Sequence, residues 1–197
     1  RASIVAEADV DLSVGGNVGM AVQVQGNTGD VDVAVGGNSA GNYSAGTDGG
    51  SLDVTVGGSV TGGRYASSED VVLSVGGNVA AATVAAGTFV DIAVGGSVSN
   101  TKVEALTTGS FFVSGSVSNT KGVTDDDLVV SIGGNASNTS LVTGGRLIGD
   151  AASTGGIAGK ATNLTAIAGD LIGDGQGGAF VIGRGLAGGQ VYASETV

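Results

Sequence analysis

Apolar and polar residues alternate with a period of two along most of the chain. The alternation breaks at regular intervals on two small residues followed by Asn or Ser. The breaks read VGGN at Val14 to Asn17, VGGN at Val35 to Asn38, VGGS at Val56 to Ser59 and VGGN at Val75 to Asn78. They continue as VGGS at Val94 to Ser97, VSGS at Val113 to Ser116 and IGGN at Ile132 to Asn135, with spacings of 21, 21, 19, 19, 19 and 19 residues. Ahead of each break one apolar column reads Leu12, Val33, Val54, Leu73, Ile92, Phe111, Val130. The next reads Val14, Val35, Val56, Val75, Val94, Val113, Ile132. Between them lie Ser13, Ala34, Thr55, Ser74, Ala93, Phe112 and Ser131, mostly small or polar, as expected of the outer face of a strand with one buried side. A third column follows the turn: Val18, Ser39, Val60, Val79, Val98, Val117, Ala136. Each repeat is therefore expected to hold a strand, a Gly turn and a further extended stretch, with a second corner near Gly26, Gly46, Gly87, Gly109 and Gly144.

A helical repeat fails on the same residues. Glycine costs about 1 kcal/mol against Ala inside a helix, β-branched side chains lose rotamer freedom there, and no 3.6-residue stripe is present. One repeat is too short to bury its apolar side alone, but stacked repeats bury a continuous column. The fold class expected is all-β, a β-solenoid with coils of about 19–21 residues; a sandwich of alternating sheets is the competing arrangement. At about 4.8 Å per stacked strand, seven coils span roughly 33 Å.

Two stretches depart from the rule. Ile4 to Val14 alternates without a break and reads as one strand feeding the first coil. After about Arg146 shorter units appear, LIGD at Leu147, IAGK at Ile157, IAGD at Ile167 and VIGR at Val181, spaced by 10, 10 and 14 residues. The chain thus divides into regular repeats over 1–145 and a divergent Gly-rich β section over 146–197, a tapering end or an assembly segment.

Composition narrows the chemistry. Forty of 197 residues are Gly, yet Pro is absent and no G-X-Y period occurs, which excludes collagen. Hydrophobic residues make up 41 % and charged ones 13 %, against a disordered chain. Without Cys there is no disulfide or thiol chemistry, and without His the commonest general base and transition-metal ligand are missing. A net charge of −11 repels phosphate backbones, so nucleic acid is not expected as a partner. No apolar run reaches the roughly 20 residues of a membrane helix. Arg1 in place of an initiator Met fits a processed or trimmed chain, and the absence of Cys fits an extracellular one.

Four groups of residues invite a functional reading. The column Asn17, Asn38, Ser59, Asn78, Ser97, Ser116, Asn135 can hydrogen-bond from coil to coil, a structural turn stack, or form a polar recognition stripe. Asp11, Asp32, Asp53 and Asp91 form an acidic column, and like charges on neighbouring strands invite a counter-ion. Thr124-Asp125-Asp126-Asp127 is a tighter cluster and the better Ca²⁺ candidate, since hard oxygen ligands suit that ion; otherwise both are solvated acidic faces. The stretch from Gly169-Asp170 to Gly178 carries fragments of a Gly-Asp calcium repeat without its tandem spacing. Ile4, Val5, Val10 and Leu12 form a first strand clean enough to pair with another copy. Glycosylation sequons occur at Asn42, Asn135, Asn138 and Asn163. Thr101, Thr120 and Thr139 stack as an ice-binding row would, without its Thr-x-Thr regularity. Coil length barely varies, the seven basic residues are scattered and no aromatic platform exists, so no enzyme activity is expected.

The repeat V-x-V-x-G-G-N-V from Val10 to about Gly145 resembles the shaft repeats of filamentous-haemagglutinin-type secreted bacterial adhesins. The Asn-Pro secretion motifs of that family are absent. Curlin fibre subunits are similar in period, although their regular Gln and Asn pattern appears only in fragments such as Gln25-Gly26-Asn27. The resemblance implies an extracellular, non-catalytic β-structure that builds a surface fibre, adheres, or both. The function expected is a secreted subunit polymerising end to end into a cell-surface or matrix filament, the acidic excess limiting sideways clumping. The alternative is a piece of a longer adhesin shaft presenting a carbohydrate- or Ca²⁺-binding face to a surface polysaccharide.

Overall fold

The computed structural model describes residues 2–19, 22–41, 44–149, 156–173 and 180–194. It is all β. Coils of about 19 residues wind into a parallel β-solenoid of about eight turns. The sandwich arrangement is excluded, because every strand pair is parallel and joins one coil to the next.

One coil shows how the sequence builds the rest. Val71–Val75 is a five-residue strand with Val71, Leu73 and Val75 buried. Gly76, Gly77 and Asn78 turn the chain into the two-residue strand Val79–Ala80, with Val79 buried. A second corner at Ala81 and Ala82 leads to Thr83–Ala86, where Val84 and Ala86 are buried. Gly87, Thr88 and Phe89 then close the coil onto Val90. Valine, isoleucine and threonine suit such half-buried pleated faces. Repetition stacks Val33, Val54, Leu73, Ile92 and Phe111 directly over one another. Val54 and Ile92 are 0 % and 2 % exposed, whereas Thr55 faces solvent.

The coil has three corners, not two. The corner missing from the sequence reading lies between the two-residue and four-residue strands, where the backbone is left-handed: φ is 87° at Gly41, 78° at Gly62, 56° at Ala81 and 51°, 48° and 48° at Asn100, Asn119 and Asn138. Gly and Asn are the residues that enter this region at least cost. Of the corner glycines expected from sequence, Gly87 and Gly144 sit in the last turn of a coil; Gly26, Gly46 and Gly109 belong to strands. The extra corner creates another buried column, Val24, Ala45, Tyr65, Val84, Val103, Gly122 and Leu141.

The opening stretch is likewise two strands. Ala2–Ala6 pairs with Val22–Gly26, and Val10–Val14 with Val31–Val35 in the other sheet. The chain bends at Glu7 to Asp9 without disturbing the alternation, because the same parity points inward on both sides of the corner.

The sheets cross Arg146 without interruption: Leu128 stacks under Leu147 and Leu147 under Leu171. The four short units of this section are not successive coils. Leu147 lies on the five-residue face, Ile157 continues the Val113–Ile132 column, and Ile167 lies outward on the third face. Ile132, Ile157 and Ile182 stack in one column, and the coil has lengthened to 25 residues.

Among the described residues the buried apolar side chains are aliphatic apart from Phe111 and Tyr65, the latter the largest fully buried side chain. Tyr65 fits because its neighbours in the column are Ala45 and Val84. Burial pushes its pKa up to about 12, the side chain of Ser39 working in the opposite direction. Ser39 is the polar exception in the column Val18, Ser39, Val60, and its side chain acts on the Tyr65 hydroxyl.

Candidate functional site

The turn stack is a hydrogen-bonding device. The side chain of each Asn or Ser after the Gly pair accepts the backbone N–H of the equivalent residue one coil on. Asn38 N donates to Asn17 Oδ1 and Ser59 N to Asn38 Oδ1, each at 2.7 Å. Asn78 N donates to Ser59 Oγ at 3.0 Å, Ser97 N to Asn78 Oδ1 at 2.7 Å and Lys160 N to Asn135 Oδ1 at 2.8 Å. The second glycine of each pair leaves the room this needs: a Cβ on Gly37, Gly58 or Gly96 would collide with the Asn Oδ1 of the preceding coil. The motif GG[N/S] is therefore one unit read across two coils.

A second ladder, of side chains alone, runs along the left-handed corner. Asn119 Nδ2 donates to Asn100 Oδ1 at 3.2 Å, Asn138 to Asn119 at 3.1 Å and Asn163 to Asn138 at 2.9 Å. Two sequon asparagines, Asn138 and Asn163, are thus members of this ladder, and Asn42 lies outside the described residues. Asn100, Asn119 and Asn138 line an open groove of about 630 Å³ with Thr83, Lys102, Lys121 and Ser140. The neighbouring threonines do not form a surface row. Thr101, Thr120 and Thr139 are buried, their hydroxyls donating to the carbonyls of Ser99, Ser118 and Ser137 at 3.0, 2.9 and 3.1 Å. Buried hydroxyls are a second reason, besides the missing Thr-x-Thr rows, that these threonines do not form an ice-binding face.

The acidic column is a true ladder. Asp11, Asp32 and Asp53 are in direct register on three successive coils, all exposed, followed by Val72, Asp91 and Ser110. Partial burial, and then the charge of Asp32, hold the Asp53 carboxyl above its ordinary range. Asp91 accepts the Ser110 hydroxyl.

In the Asp125 to Asp127 cluster, Asp125 and Asp126 are exposed while Asp127 is held by Arg146. Arg146 N and Nε donate to the two carboxylate oxygens at 2.8 and 3.0 Å. The Arg146 hydrogen bond keeps the Asp127 carboxyl below the usual carboxylate range. Among the described residues no three acids converge as a cation site. Residues 174–179 of the Gly-Asp stretch lie outside the described residues.

The assembly residues separate by position. Val10 is buried under Val31 and Leu12 is half-buried; Ile4 and Val5 are exposed, at 38 % and 60 %. The basic residues, scattered along the sequence, are partly aligned by the fold. Arg64, Lys102 and Lys121 share one outward column with Thr83 between the first two. Their spacing in sequence, two coils and then one, was the available signal; it became legible only once the third strand of each coil was known. Comparison of the chain with protein-family models, with curated proteins and with solved structures returned no match.

Proposed function

We propose that this chain is a structural subunit of an extracellular or cell-surface filament, in which copies stack head to tail along the solenoid axis and serve adhesion or a matrix. The observation that carries the reading is the location of exposed apolar side chains. Of the eight large hydrophobics exposed among the described residues, Ile4 and Val5 lie on the first coil, and Val181, Leu186, Val191 and Tyr192 on the last strands. The register makes the two ends complementary. Ile4 begins the inward column of the third face, and the same column ends at Ala166 and Val191. A copy placed on the end of another sets Val191 against Ile4 and continues the parallel pairing, satisfying edge groups that otherwise template association. Burial and backbone pairing hold such a joint, so it resists salt.

Electron microscopy and sedimentation of the intact chain and of the Ile4→Asp/Val191→Asp variant test the proposal. Filaments from the intact chain that are lost in the variant support it. Short rods that stay monomeric at high concentration sink it, and favour ends covered by further coils of one longer shaft.

A further inference from the structure

The two charged ladders lie on different faces, and their spacings match. Counting coils by the five-residue strand, from Val10–Val14 as the first, the acids occupy coils one, two, three and five: Asp11, Asp32, Asp53 and Asp91. The bases occupy coils three, five and six: Arg64, Lys102 and Lys121. Small side chains border most of both ladders, with Phe112 after Ala93 on the acidic face and Glu104 after Ala85 on the basic one. Beside the acids run Ala34, Thr55, Ser74 and Ala93; beside the bases, Gly46, Ala66 and Ala85.

We propose that two copies of the chain pair side by side and antiparallel, the acidic ladder of one against the basic ladder of the other. In the register that this fixes, Asp32 faces Lys121 of the second copy, Asp53 faces Lys102 and Asp91 faces Arg64. The remaining positions are compatible: Asp11 meets Ser140, Val72 meets Thr83 and Ser110 meets Ser44. No parallel register opposes more than two of the three bases to acids. The antiparallel register opposes all three and sets no two like charges opposite each other within the ladders. Each step of misalignment displaces the ladders by one strand spacing, about 4.8 Å, so the register is sharply defined. Lys102 also bonds Glu104 on its own strand at 2.7 Å, an exposed pair that the second copy's Asp53 would share. In the isolated chain the acids repel one another, which is what raises the Asp53 pKa beyond the effect of burial; an opposing row of cations relieves it. The net charge of −11 repels copies at long range. At about 0.1 M salt the Debye length of about 10 Å screens that repulsion more than it screens direct contacts. The pairing uses faces, not ends, and does not depend on the head-to-tail reading.

Since the chain has no native Cys, single-cysteine variants test the register directly. With a mild thiol oxidant present, Asp53→Cys protein mixed with Lys102→Cys protein should form a disulfide-linked pair when oxidised at about 0.1 M salt and fail to form it when oxidised at about 1 M, where the Debye length is about 3 Å. Asp11→Cys mixed with Lys102→Cys, two coils out of register, should not. Asp53→Lys and Lys102→Asp should each abolish lateral pairing alone and restore it when mixed. Equal cross-linking of the two cysteine mixtures, or cross-linking indifferent to salt, overturns the proposal. So does failure of the mixed charge reversals to pair. Absence of filaments from the intact chain, with these cross-links still formed, would count against the end-to-end reading alone.

Discussion

Replacing Gly77 by Ala tests the stacking rule at a single atom. The second glycine of the corner recurs as Gly16, Gly37, Gly58, Gly77, Gly96, Gly115, Gly134 and Gly159, whereas the first is Ser114 in one of these coils and Ala158 in another; the last corner reads Gly183-Arg184. A Cβ on Gly77 would lie 2.9 Å from the Gly58 carbonyl oxygen and closer still to the Ser59 hydroxyl. Relieving such an overlap in a packed stack costs about 1–3 kcal/mol. Turning Ser59 aside also forfeits the bond from Asn78 N, worth about 0.5–1.5 kcal/mol. Against this stands the reduced freedom of the unfolded chain, about 0.4–1 kcal/mol for Gly→Ala. Gly77→Ala is therefore expected to destabilise by about 1–3 kcal/mol. At Gly16, in the first coil, nothing lies within 4 Å of the added Cβ. There the same substitution keeps only the gain, and the two variants should differ by about 2–4 kcal/mol. Urea unfolding followed by circular dichroism measures the gap, with unchanged m-values required for the comparison, since repeat arrays can lose cooperativity. Adding Ser59→Ala to Gly77→Ala should cost less than the two single changes summed, because the variants share a contact. Equal midpoints for Gly16→Ala and Gly77→Ala would refute the reasoning.

Val54→Asp, which buries an unpaired charge in an aliphatic column, should cost several kcal/mol and prevent folding, while Thr55→Asp next to it melts like the parent. Ala81→Asn should raise stability by about 1 kcal/mol, by placing a residue tolerant of φ 56° there and adding an amide below Asn100; an unchanged melting temperature would count against the ladder. Tyr65 loses its proton less readily folded than unfolded, so its contribution is complete below about pH 10 and disappears as pH rises to about 12, a loss of about 2–3 kcal/mol. Ultraviolet titration should show one tyrosine ionising late, and Tyr65→Phe should lack this part of the alkaline destabilisation. Asp127 has the opposite sign: its pairing with Arg146 adds stability above the ordinary carboxylate range and loses it as pH falls, so Arg146→Gln should flatten the acid limb of the stability curve.

The sequence by itself determined the strand class, the coil period and the inward sense of the Leu12-to-Val130 and Val14-to-Ile132 columns of the five-residue face; Ser131, expected outward, is buried. Those features are local: alternation and a Gly pair recur within one coil, and register follows because a one-residue slip would turn the Val columns to solvent. The acidic ladder was legible for the same reason, since Asp11, Asp32 and Asp53 keep a constant offset from the Gly pair. The number of corners was not. Alternation keeps its parity through a bend, so Ile4 to Val14 read as one strand, and the left-handed backbone at Asn100 and Asn119 leaves no mark on hydrophobic periodicity. Pairings across the coil also belonged to the tertiary structure alone. Tyr65 beside Ser39, Asp127 beside Arg146, and Arg64, Lys102 and Lys121 in one column are relations between faces or between coils. Each is set by how the third strand stacks, which depends on backbone bonds to the next coil and not on any pattern within one repeat.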